Sequence, residues 1–164
     1  MIAWKERTSE ERALLNPAFC AQLLWHAARG HTAIGEGLPF EESFLVLPFV
    51  LHGYTRSELP HDTRTSMAVW LARNPLARGK VVDRARLLVP FTREALVFGS
   101  VHQLIEISQG RVHPRPESAP RVSVVFAEAS DDARDSAERA EFVGRWFAKA
   151  GNPATVLALL GVRP

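Results

Sequence analysis

Six histidines and a single cysteine hold most of the side chains that could do chemistry in this chain. His52 and the pair His61-Asp62 come nearest to a catalytic arrangement. A turn between them would let the Asp62 carboxylate orient a ring nitrogen, as a small hydrolase orients its general base. The competing expectation is structural, with His52 closing a buried helix on backbone partners and Asp62 capping the next one. His26, His31, His102 and His113 complete the set, and none belongs to an HExxH pair or to another ligand spacing that would hold zinc. Cys20 sits in AFCAQLL, where apolar neighbours disfavour a thiolate, so it reads as core filler. No GxSxG, GxxxxGKS/T or GxGxxG motif occurs, which removes the usual nucleophile elbow, phosphate loop and dinucleotide fingerprint. The expectation is a non-catalytic protein that needs neither cofactor nor metal.

These side chains need elements to position them, and the punctuation of the sequence is helical. Asn-Pro occurs at Asn16-Pro17, Asn74-Pro75 and Asn152-Pro153. In each, asparagine can cap an orphan N–H while proline occupies the first helical position without losing a hydrogen bond. Thr8 and Glu11 have capping-box spacing, predicting a short helix through Leu15. A longer helix from Pro17 should stop at Gly30, and HTAIGEGL should form a loop. From about Pro39 to His52 the residues Phe44 to Leu51 leave no polar face, which marks a buried helix that Pro48 should kink. That run is too short to span a bilayer, which takes ~20 residues. Asp62 or Thr63 is expected to cap a helix through Arg73. A helical region from Pro75 to about His102 should be interrupted at Gly79 and Pro90.

The pattern changes at LIEISQGRVH, where Gln109-Gly110 reads as a tight turn between two short strands. RVSVVF, Arg121 to Phe126, would supply a third strand. Ser130 should cap a long helix that Gly151 ends, and a last helix should run from Pro153 to Leu160. The expected fold is mainly α, a single domain over residues 1–164, with a small β-hairpin after the central helices in winged-helix order.

With 20 Lys and Arg against 18 Asp and Glu, charge gives little reason to expect nucleic acid. A DNA-binding regulator of winged-helix type is still the alternative to weigh. Arg78, Lys80, Arg84, Arg86 and Arg93 precede the hairpin, which carries Arg111 and Arg115, with Arg121 beyond it. Lys80, Arg84, Arg111 and Arg115 are its principal candidates. Asp83, Glu94 and Glu106 interrupt the patch, and no aromatic residues interleave with it for stacking bases. The start MIAWKERTSEER lacks an apolar signal core, so a cytoplasmic protein is expected, with no membrane partner.

The order RALLNPAF (Arg12 to Phe19), FLVLPFVLH (Phe44 to His52), RSELP (Arg56 to Pro60), RARLLVPFTREALVFG (Arg84 to Gly99), GRWFAKAG (Gly144 to Gly151) and LLGVRP at the C-terminus resembles the middle component of bacterial three-component ABC systems, along nearly the whole chain. That resemblance implies a helical subunit in Lamassu-type anti-phage defence. Its partners would be an SMC-like ABC ATPase and an effector, commonly a nuclease, and any contact with DNA would come through the complex. Asn16, Pro17, Pro48, His52, Pro60, Arg93 and Gly144 within these phrases fit structural uses. The segment FVGRWFAK carries more aromatic bulk than one stripe needs. Val143 and Phe147 share one helix face while Phe142 and Trp146 share a neighbouring one. One pair should fill the core, and Trp146 with Phe142 and Arg145 is the candidate anchor for a partner.

Overall fold

A computed structural model describes Thr8 and residues 15–162. The helix expected between Thr8 and Leu15 falls on residues outside those described. Helix α1 (Pro17–Thr32) starts as its Asn-Pro predicts, with the Asn16 side chain accepting from the Ala18 N–H at 2.9 Å. It runs past Gly30 instead of stopping there, because Gly30 serves packing. A Cβ at Gly30 would lie 2.0 Å from the Glu141 carbonyl oxygen, and one at Gly144 would lie 1.9 Å from that of Ala27. Two helices therefore touch backbone to backbone where only glycine fits.

Strand β1 (Leu38–Pro39) leads into α2 (Phe40–Val50), whose apolar run is buried as its composition requires. His52 does not close α2. It opens the short α3 (Gly53–Glu58), its Nδ1 accepting from the Thr55 N–H at 3.4 Å. Helix α4 (Met67–Arg73) is capped by Ser66 and not by Asp62 or Thr63. Asn74 donates its side chain to the Trp70 carbonyl at 2.9 Å, so it closes α4 and gives no side-chain cap to α5.

Helix α5 (Pro75–Val101) is continuous through both expected interruptions. Gly79 costs a helix only about 1 kcal/mol against alanine, and Pro90 lies on the exposed side. There the carbonyl left without its N–H partner can be hydrated, so the ladder survives the loss.

The hairpin forms as expected. Strands β2 (Ile105–Ser108) and β3 (Arg111–Pro114) are joined through Gln109 and Gly110, both at positive φ (51° and 70°), as a type I′ turn requires. The third strand is β1, paired antiparallel to β3 with Leu38 opposite Val112, in the order β1-β3-β2. RVSVVF is no strand: a 3-10 turn (Pro116–Ser118) feeds α6 (Ala119–Ala127). Alternation would bury positions 122, 124 and 126, but Val122 and Phe126 are buried while Val124 is 62% exposed, the four-residue step of a helix.

Helix α7 (Asp131–Ala150) begins at a Ser130 cap, and α8 (Pro153–Leu160) begins at Asn152 and ends on left-handed Gly161. The fold is thus mainly helical, with a small three-stranded antiparallel sheet. α1 packs on α7 and α5, and α2 contacts α1, α5 and α7. Phe49 of α2 meets Trp146 and Phe147 of α7 at centroid distances of 6.2 and 5.8 Å, and Trp70 of α4 closes the cluster 5.5 Å from Trp146. Among the described residues no helix is long and apolar enough to cross a membrane.

Candidate partner-docking surface

The residues that could have formed a catalytic pair have other partners. Asp62 accepts from the Arg64 guanidinium at 2.8 Å and from its backbone N–H at 2.9 Å, which in that order hold its carboxyl down at about 2. His52 is held below its ordinary value, first by burial and then by Arg84, Lys80 and Arg56. Burial pushes the Cys20 thiol up to about 12, so a thiolate is not formed near neutrality. Among the described residues no group of three or more metal-binding side chains comes together.

The four basic candidates for nucleic acid fall into two separate groups. Lys80 sits 5.1 Å from the Tyr54 ring centroid, and Arg84 donates to the Thr55 hydroxyl at 2.8 Å and to the Lys80 carbonyl at 2.9 Å. Arg111 donates to the Gly37 carbonyl at 3.0 Å, and Arg115 pairs with Glu106 at 3.1 Å. Gly99, where α5 meets Ile105 of the hairpin, lies fifteen residues beyond Arg84, roughly 22 Å along the axis. The hairpin is also tied down at its turn, where the Gly110 carbonyl accepts from the Phe40 N–H at 2.9 Å. It does not project as a free wing.

Trp146 and Phe142 correct the expectation of an outward aromatic pair. They are 1% and 5% exposed, and the Trp146 indole donates to the Thr65 carbonyl at 2.8 Å. Both aromatic faces of α7 are enclosed: Phe49 of α2 meets both Trp146 and Phe147, Trp70 of α4 meets Trp146, and α1 packs along the helix. Only Arg145 of the three reaches solvent, paired with Glu141 at 2.8 Å.

Two buried ionisable side chains, Arg56 and Glu42, were not among the site candidates the sequence suggested, although Arg56 reads there as part of the turn that reverses the chain after α2. Arg56 is 6% exposed and clamps α3 to the start of α7, donating to Asp135 at 2.5 Å, to Asp132, and to the Val50 carbonyl at 2.8 Å. Glu42 is fully buried, with neither carboxyl oxygen hydrogen-bonded and His31 at 3.8 Å. Burial and then Glu41 raise Glu42 to about 8, against a smaller pull from Arg111. Burial and then Arg111 lower His31 to about 4. Both are uncharged at neutral pH, so their approach is not an ion pair.

The surface with capacity for a partner lies on α5. Its buried residues, among them Ala77, Val81, Ala85 and Ala95, occupy one side, and the opposite side exposes Leu76, Leu87, Val97 and Val101 at 72, 69, 64 and 69%. Isolated exposed aliphatics are ordinary, but these four share one helix face, with Asp83, Pro90 and Glu94 between them, and Val97 and Val101 lie one turn apart. The C-terminal end of this face borders an almost wholly apolar groove in which Pro17, Val97, Phe98 and Val101 are framed by Arg93 and Glu94.

No solved structure and no curated protein matches the chain. A family description does, across residues 4–164. With that match along nearly its full length, the chain belongs to the ABC-three component (ABC-3C) system Middle Component 3 family.

Proposed function

We propose that this protein is a non-catalytic adaptor that bridges an SMC-like ABC ATPase and an effector such as a nuclease in an anti-phage defence complex of Lamassu type. Membership of a middle-component family supplies the setting, since the name itself implies other components. The observation that carries the reading is the outer face of α5, whose exposed aliphatics Leu76, Leu87, Val97 and Val101 point away from the core and are left exposed among the described residues. Such a face costs solubility and returns nothing to the isolated fold, so its use lies in association.

Co-expression with the products of the adjacent genes, followed by mass measurement of what purifies together, tests this. The expected result is a complex containing an ATPase and an effector, with this chain required for the two to associate. If the chain joins neither protein in any nucleotide state, the adaptor reading is wrong.

A further inference from the structure

Along α5 the residues Asp83, Leu87, Pro90, Glu94, Val97 and Val101 follow one another in alternating steps of four and three. At 100° per residue they keep within an arc of about 80° over the length of the helix. This four-three spacing belongs to any helix face that can receive another helix; here the face carries Asp83, Pro90 and Glu94 beside its apolar members and points away from the core. Three of its members, Leu87, Val97 and Val101, are exposed aliphatics that could act as knobs, and the groove beside Val97 and Val101 is a ready hole.

Asp83 and Glu94 lie on the stripe itself, and the basic residues on its flanks outnumber them. α5 carries five basic residues and two acidic ones. Arg86 and Arg93, seven residues apart on one flank, are exposed, and neither guanidinium makes a hydrogen bond or ion pair with another described residue. Lys80 lies on the other flank. A second copy of this chain would bring the same basic flanks into apposition, which repels. A helix with acidic residues at heptad spacing beside an apolar stripe would be attracted and held in register.

We infer that the outward face of α5 receives a single helix from a partner subunit, with an apolar stripe packed on Leu87, Val97 and Val101 and acidic residues set against Arg86 and Arg93. The inference rests on the adaptor reading and assigns it a surface and a chemistry. Pro90 fits such a seam as a smooth, donor-free position around which the partner's side chains can close.

The experiment uses the full chain co-purified with its neighbouring subunits. A photo-crosslinking residue is placed at Leu87 or at Val101, and Val101→Asp and the pair Arg86→Glu with Arg93→Glu are compared with the parent. Crosslinks from both positions should fall in one partner segment, about fourteen residues apart, as two helices in register require. Val101→Asp and the charge reversal should each weaken association by at least about tenfold, the effect of losing an interface anchor, and parental binding should weaken as salt rises. Crosslinks in unrelated segments, or to a second copy of this chain, overturn the inference. So does a complex that forms normally with every variant, although the adaptor reading then stands. If the parent joins no neighbouring subunit, the adaptor reading falls and takes this inference with it.

Discussion

Glu42 shows how a single residue can set the pH behaviour of this fold. Its carboxyl is fully buried on α2 with His31 of α1 3.8 Å away, and Arg111 of β3 acts on both. With a folded-state value near 8 against an ordinary 4.5, the folded form keeps a proton that the unfolded chain releases. Stability from this group is therefore lost as pH rises between those values. His31 works in the opposite sense: from about 4 up to 6.5 the unfolded chain binds a proton that the folded form does not, so stability rises over that range. The two slopes oppose each other up to about pH 6.5, and above it only Glu42 acts. Denaturation between about pH 6.5 and 8 should thus show stability falling, by at most about 1.4 kcal/mol per pH unit, and Glu42→Gln should remove that fall. A parent whose stability is flat or rising across this window would rule the account out. Glu42 was silent in the sequence because Glu41-Glu42 reads as an acidic first turn; its burial follows from how α1 and the sheet close over α2.

At the scale of elements, α3 is held to α7 by one guanidinium. Arg56 is enclosed, while Asp132 and Asp135 are 71 and 48% exposed, so removing either side of the contact has different consequences. Arg56→Met leaves two carboxylates that water can solvate and should cost about 1–3 kcal/mol. Asp132→Ala with Asp135→Ala strands a buried cation and should cost more, toward the 3–5 kcal/mol of a broken buried pair. Urea titrations of the two variants check the order, and a milder double-alanine variant would contradict it. The same scale shows what local pattern could and could not reveal. Helix starts at Pro17, Pro153 and Asp131 and the Gln109-Gly110 turn were legible, because each rests on chemistry within a few residues. Val122 to Phe126 misled because β-branched side chains favour a strand only where neighbouring strands exist. The Pro116 and Pro120 turns start a helix there, and α1 takes Phe126 against Phe19 and His26. α5 was divided by Gly79 and Pro90 on propensity alone, yet packing of its inner face outweighs both.

For the whole molecule the decisive question is which apolar surface is core and which is left for association. The sequence suggested that one aromatic pair of FVGRWFAK faces a partner, but both aromatic faces of α7 are covered by α1, α2 and α4. The side chains left outside are the smaller aliphatics of α5, which sequence reading passed over because Pro90 and Gly79 broke their stripe into pieces. The distinction is measurable in one pair of variants. Trp146→Ala removes a side chain that is 1% exposed and in contact with Phe49, Trp70 and Phe142, and it orphans the Thr65 carbonyl. It should cost about 3–5 kcal/mol, a large share of the ~5–15 kcal/mol that holds a domain folded. Val97→Ser with Val101→Ser changes side chains that are already two-thirds in water and should shift stability by no more than about 0.5 kcal/mol. Thermal denaturation of both variants, run beside capture by the co-expressed subunits, separates the two roles. The serine variant should melt with the parent yet bind partners poorly, whereas Trp146→Ala should lose binding only in proportion to the fraction unfolded. If Trp146→Ala melts with the parent, or the serine variant melts well below it, core and docking surface have been assigned to the wrong helices.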